Sequence, residues 1–127
     1  MKRKAIEVAK AKNLPLPFSL AIETGNIVYL SGQPSMNLED GKFIDGDFSQ
    51  QFKQCLANLD EVLKEANLTR DNVIKCNVYL KDINDYKVMN GLYTEAFISP
   101  RPARTCIQAG ALPMGAIVEI EYIACKE

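Results

Sequence analysis

The chain has no histidine anywhere in its 127 residues. That removes the usual general base of serine and cysteine hydrolases. It also excludes a Cys/His zinc site. The four cysteines, Cys55, Cys76, Cys106 and Cys125, form no CxxC pair, so an all-cysteine metal site is not expected either. No apolar run reaches the roughly 20 residues of a membrane span, and no membrane partner is expected. Net charge is only −1, too little for a general attraction to phosphate backbones, so nucleic acid is not an expected partner. The amino-terminal stretch is basic through Lys2, Arg3, Lys4, Lys10 and Lys12. Glu7 interrupts it and no apolar segment follows, so no secretory signal is expected. Any catalysis must draw on carboxylates, Arg, Lys, Tyr, Cys or backbone groups.

Hydrophobic residues make up 47% of the chain, which excludes disorder. The length suits one domain over residues 1–127, large enough to bury a core without covalent staples. Each cysteine lies in an apolar pattern, as reduced, buried thiols of a cytoplasmic protein do.

Local patterns then place the elements. Residues 3–8 read as a short edge strand. Residues 19–23 and 27–30 flank the turn signal Thr24-Gly25-Asn26 and read as a hairpin that Ser31-Gly32-Gln33-Pro34 closes. Residues 47–66 form the clearest helix, with Phe48, Phe52, Cys55, Leu56, Leu59, Val62, Leu63 and Ala66 on one face. Asp47 and Gln50 have the spacing of a capping box, and Asn67 suits the stop. Residues 73–80 alternate as a strand, with Ile74, Cys76, Val78 and Leu80 inward. A second helix spans residues 83–97, with Ile83, Tyr86, Met89, Leu92, Tyr93, Ala96 and Phe97 inward, and Pro100 and Pro102 end it. The last two strands cover 104–109 and 116–125. The order is that of an α+β domain with a mixed sheet. Both faces of the last strand carry apolar residues. Two helices packed on one face of the sheet leave the other face for a second copy of the chain.

The chemistry concentrates in Pro102-Ala103-Arg104-Thr105-Cys106 and Val118-Glu119-Ile120. Arginine's planar fork suits a carboxylate ligand. Glutamate is a competent proton carrier. If the two strands are neighbours, Arg104 and Glu119 face one pocket. Singly, each residue has an ordinary structural reading: Arg104 as an ion-pair partner, Glu119 and Glu121 as solvated strand charges, Cys106 as a packed thiol, Ser31-Gly32 as a turn, Asn90 as a polar helix position.

Taken together, these segments resemble the reactive-intermediate deaminase family (Rid or YjgF-type, often labelled endoribonuclease L-PSP). The likeness spans nearly the whole chain. It includes Gly-Asn-x-x-Tyr-x-Ser-Gly-Gln at 25–33, Met-Asn-x-x-Tyr at 89–93, and the Pro-Ala-Arg to Ile-Glu-Ile stretch with Ala-Leu-Pro between. The resemblance implies a chorismate-mutase-like fold, a homotrimer, and clefts between subunits. It implies hydrolysis of 2-imino and 2-enamino acids, such as 2-aminoacrylate and 2-iminobutyrate, to 2-keto acids and ammonia. Arg104 would clamp the substrate carboxylate. Glu119, kept ionised by that arginine, would position water and move its proton. The backbone at Gly32 and Cys106 would touch substrate, with Thr105 in the same binding set, and Ser31 and Asn90 would shape the pocket. An iminium is already electrophilic, so no cofactor or metal is expected. The family's Pro-Tyr-Ser stands here as Pro17-Phe18-Ser19. Phe18 keeps the ring as a pocket wall without the hydroxyl. Two other readings remain open at this point: an endoribonuclease or translation inhibitor, and a noncatalytic module for small carboxylates.

Overall fold

The computed structural model describes residues 2–127. Its six strands form one sheet in the order β1-β2-β3-β6-β4-β5. The strands are β1 (Lys4–Ala5), β2 (Ala21–Thr24), β3 (Ile27–Gln33), β4 (Val73–Leu80), β5 (Ala103–Gln108) and β6 (Val118–Cys125). The helices are α1 (Phe48–Glu65) and α2 (Tyr86–Ala96). Only β4 and β5 run parallel, and α2 is the crossover that a parallel pair requires. The expected α+β class, mixed sheet and paired helices are all present.

α1 forms where its apolar period predicts. Its start is the expected capping box: the Asp47 carboxylate accepts from the Gln50 backbone N–H, and the Gln50 side chain accepts from that of Asp47. Its end is Asn67 in the left-handed region at φ 60°, with Asn67 N–H donating to Lys64 and Leu68 N–H to Leu63. Phe52, Cys55, Leu59, Val62 and Leu63 are buried against the sheet. They meet Val118, Ile120, Tyr122 and Ala124 of β6, all buried. Two buried amides fasten the irregular chain between β3 and α1. Asn58 Nδ2 donates to the Met36 carbonyl at 2.9 Å, and Gln51 donates to the Gly46 carbonyl at 3.1 Å. Gln51 Oε1 also accepts from Ile117 N–H at 3.1 Å, fixing the entry to β6.

Four expectations need correction. β3 does not close at Ser31 but continues to Gln33 through an irregularity: Leu30 pairs with Tyr122 and Gln33 with Ile120, so Ser31 and Gly32 together oppose Glu121. Ile74 is not inward. Val73 pairs with Ala124 and Lys75 with Ile123, so the register shifts around Ile74, Val73 takes the core position, and Ile74 is exposed. The second helix begins with a 3₁₀ turn at Ile83–Asp85, which leaves Ile83 and Tyr86 exposed while Met89, Tyr93 and Phe97 are buried. Finally, β5 and β6 are not neighbours, because β4 lies between them. Among the described residues no helix is long and apolar enough to cross a membrane.

Losing the α1 cap removes one satisfied helix donor without touching the core. Asp47→Ala should therefore lower unfolding stability by about 1 kcal/mol, read from a urea midpoint at unchanged m-value.

Candidate active site

The alternation of strands decides which face each candidate residue reaches. Arg104 pairs with Cys76, a core position, so its side chain lies on the helix-covered face. There α2 receives it. The guanidinium sits 4.8 Å from the centre of the Tyr93 ring and 5.5 Å from that of Tyr86. Nη2 donates to the Tyr86 hydroxyl at 3.2 Å, and Nη1 lies 3.5 Å from Met89 Sδ. These three α2 residues stand at positions i, i+3 and i+7, one stripe of the helix. Sequence reasoning put that stripe inward without linking it to Arg104. No acidic side chain pairs with Arg104 among the described residues.

Cys106 follows on the same face, half-buried and packed against the core. Burial raises its thiol pKa, and Arg104 only partly offsets this. Cys55 is pushed up to about 12 and Cys76 up to about 11, chiefly by burial. All four thiols are free. Cys55, Cys76 and Cys106 are thus shifted away from the lowered pKa of an activated nucleophile. Asn90, on α2 beside Met89, is half-buried, and its carbonyl accepts from the Thr94 hydroxyl.

Glu119 lies on the opposite, uncovered face. It pairs with Tyr79, whose hydroxyl donates to Glu121. Asn77 donates to the same carboxylate at 3.0 Å. Glu119 itself rests against Gly32, where a Cβ would stand 2.6 Å from Oε2. A larger residue at position 32 would push the Glu119 carboxylate out of this place. The Glu119 pKa is raised, first by burial and second by the negative charge of Glu121. This reverses the expectation that Arg104 holds it down: the chain does not bring the two together. Thr105, paired with Asn77, is exposed on this uncovered face too.

Ser31 sits beside Gly32, but its hydroxyl is engaged, donating to the Ser19 carbonyl at 2.6 Å. That bond, with Ser31 N–H donating to Leu20, ties the segment after Phe18 to β3. The Phe18 ring is half exposed. Two half-sites result. Ser31, Gly32 and Glu119 lie on β3 and β6, with Phe18 just ahead of the segment that Ser31 holds, whereas Arg104 and Cys106 lie on β5 and Asn90 on α2. The Tyr79–Asn77–Glu121 cluster was not foreseen, although Glu121 shares the face of Glu119 by simple alternation. Among the described residues no group of three His, Cys, Asp or Glu side chains is placed to hold a metal ion.

A half-site built this way invites comparison with known proteins. The family model described as Endoribonuclease L-PSP matches residues 9–126. A RutC family protein from Pyrococcus abyssi is 37% identical over the full length of both chains. The 2-iminobutanoate/2-iminopropanoate deaminase of Bos taurus is 42% identical, covering 98% of this chain and 90% of its own. Among solved structures, E. coli TdcF with bound serine superposes with a TM-score of 0.86 at 29% identity, covering 98% of this chain and 99% of that one. The chain belongs to the Endoribonuclease L-PSP family, the Rid or YjgF-type proteins.

Proposed function

We propose that the protein hydrolyses 2-imino and 2-enamino acids to 2-keto acids and ammonia, in composite clefts of a homotrimer. The observation that carries this reading is the division of the two half-sites. Arg104 has an anion-binding fork with no acidic partner, and Glu119 has a carboxylate with raised proton affinity against a glycine. They lie on opposite faces of one sheet, so a second copy is what can oppose them. The exposed Tyr29 and Ile107, on the uncovered face with Ile123, give that copy apolar area to cover. Relatives at about 40% identity that bear the deaminase name, and a bound serine in TdcF, support an amino-acid-derived ligand.

The chemistry follows from the residues. Arg104 of one protomer binds the substrate carboxylate in its planar fork. That orients the C=N carbon toward the neighbouring protomer's Glu119 and Gly32. Glu119 accepts a proton from water as the oxygen bonds to the imine carbon. It returns that proton to the amine nitrogen, then takes the hydroxyl proton as the C–N bond breaks and the C=O bond forms, which releases ammonia and leaves the keto acid; the departing ammonia carries that last proton away as ammonium and restores the carboxylate. A carboxylate with raised pKa lies closer to the balance this two-way transfer needs. An enamine must first take a proton at carbon to become the imine. The iminium carbon is electrophilic by itself, so the scheme calls for no cofactor. An endoribonuclease reading has the family description behind it, but a net charge of −1 and no aromatic-basic stripe argue against an RNA track.

Purified protein should speed keto-acid release from an imine generated in situ by a serine or threonine dehydratase. Arg104→Ala should abolish the acceleration with its thermal midpoint retained, and an active variant would remove the clamp. Subunit exchange tests the composite cleft. Arg104→Ala and Glu119→Gln proteins, each inactive, should regain activity when mixed, since roughly a quarter of the clefts in randomly assembled trimers inherit both intact residues. Persisting inactivity after verified exchange would overturn the composite cleft.

The pKa of Glu119 adds a stability test. A carboxyl whose folded-state pKa is raised favours the fold most below its unfolded value. That contribution is lost as pH rises through the folded value. Glu119→Gln should therefore raise the melting temperature near pH 7 and leave it unchanged near about pH 3, well below the roughly 4.3 of a free glutamate, where the carboxyl is protonated in both states.

A further inference from the structure

We propose that Tyr86 belongs to the carboxylate seat, donating its phenolic hydroxyl directly to the ligand carboxylate beside Arg104. The inference rests on the reading of Arg104 as a carboxylate clamp and extends it to a residue on α2.

Hydrogen-bond accounting at one oxygen leads there. Arg104 Nη2 donates to Tyr86 at 3.2 Å, so the phenol oxygen is the acceptor of that bond. Its own O–H remains to be given elsewhere. No side chain or carbonyl accepts it among the described residues, and Tyr86 is 41% exposed, open to a ligand. A carboxylate held on the guanidinium fork brings an acceptor oxygen to that neighbourhood. It also has more lone pairs than the fork can use. The hydroxyl is thus a further donor aimed at the same group.

The rest of the seat fixes the hydroxyl's partner. Tyr93 is buried, and its ring face, 4.8 Å from the guanidinium, supports Arg104 from beneath. Met89 Sδ, at 3.5 Å from Nη1, is a weak acceptor that a carboxylate readily displaces. The Tyr86 ring, at 5.5 Å, flanks the guanidinium. Ring and hydroxyl are separable: Tyr86→Phe keeps the first and removes the second. At so exposed a position this change leaves the core intact, and an unchanged melting temperature verifies that.

The test measures 2-oxobutanoate binding by calorimetry and imine turnover on the same preparations. Tyr86→Phe should raise the dissociation constant roughly ten-fold, as loss of a hydrogen bond to a charged group does. KM should rise by a similar factor while kcat stays within about two-fold, the signature of a contact made equally to bound substrate and transition state. Wild-type binding in Tyr86→Phe, or a fall in kcat at unchanged KM, would overturn the assignment. A second background separates donation from mere support of Arg104. In Arg104→Lys, which keeps a cation but has no fork, adding Tyr86→Phe should weaken binding further. No additional loss there would reduce Tyr86 to a positioning residue and overturn direct donation. If 2-oxobutanoate binds through Arg104 and Tyr86 while imine hydrolysis is not accelerated, the deaminase reading falls and the seat stands. If the wild-type protein does not bind 2-oxobutanoate at all, the seat and Tyr86's place in it both fall.

Discussion

A strand presents each side chain to one face only, and in β6 that constraint shapes the whole molecule. Val118, Ile120, Tyr122 and Ala124 are spent on the core beneath α1, so Glu119 and Glu121 must emerge on the other side. β5, one strand beyond β4, is locked in register with Cys76 and Val78, so Arg104 and Cys106 must share the helix side. The guanidinium and the carboxylate are thereby divided by the sheet itself. No side-chain rotation can reunite them within one chain, because the separation is set by backbone register.

Each half-site is braced by means suited to its charge. The Arg104 cation rests on aromatic faces, which attract it without neutralising it. Burial first, and the charge of Glu121 after it, strengthen the hold of the Glu119 carboxylate on a proton. Glu121 is itself satisfied by Tyr79 and Asn77. The network occupies the Glu121 carboxylate, while that of Glu119 lies against Gly32.

Much of this was legible in the sequence. The α1 cap and stop, the extent of β4, the end of β6 at Cys125 and the order of elements followed from periodicity and turn chemistry, while β6 begins at Val118 rather than residue 116. The candidate residues followed from a resemblance carried by several separated segments. The failures share a cause: they concern pairings, which a linear pattern does not contain. That β4 inserts between β5 and β6 is a long-range choice. The irregularities at Ser31–Gly32 and around Ile74 are differences in count between two strands, visible only when both are aligned. Ile83 and Tyr86 are apolar or amphipathic residues at helical spacing, yet the helix begins later and tilts them outward. The Arg104–Tyr86–Tyr93 arrangement joins a strand to its own crossover helix, and α2 carried no signal of that beyond its stripe.

Strand β5 lies at the rim of the sheet, with hydrogen-bonded pairing to β4 alone. A rim strand has half the ladder of an interior one and opens at lower free energy. The residue that would grip the anion thus sits at one of the two margins of the sheet, which open more readily than its interior. Any molecule seated on Arg104 while also touching α2 sews that margin to the body of the protein. Ligand occupancy and closure of the margin then become linked quantities, each favouring the other by mass action.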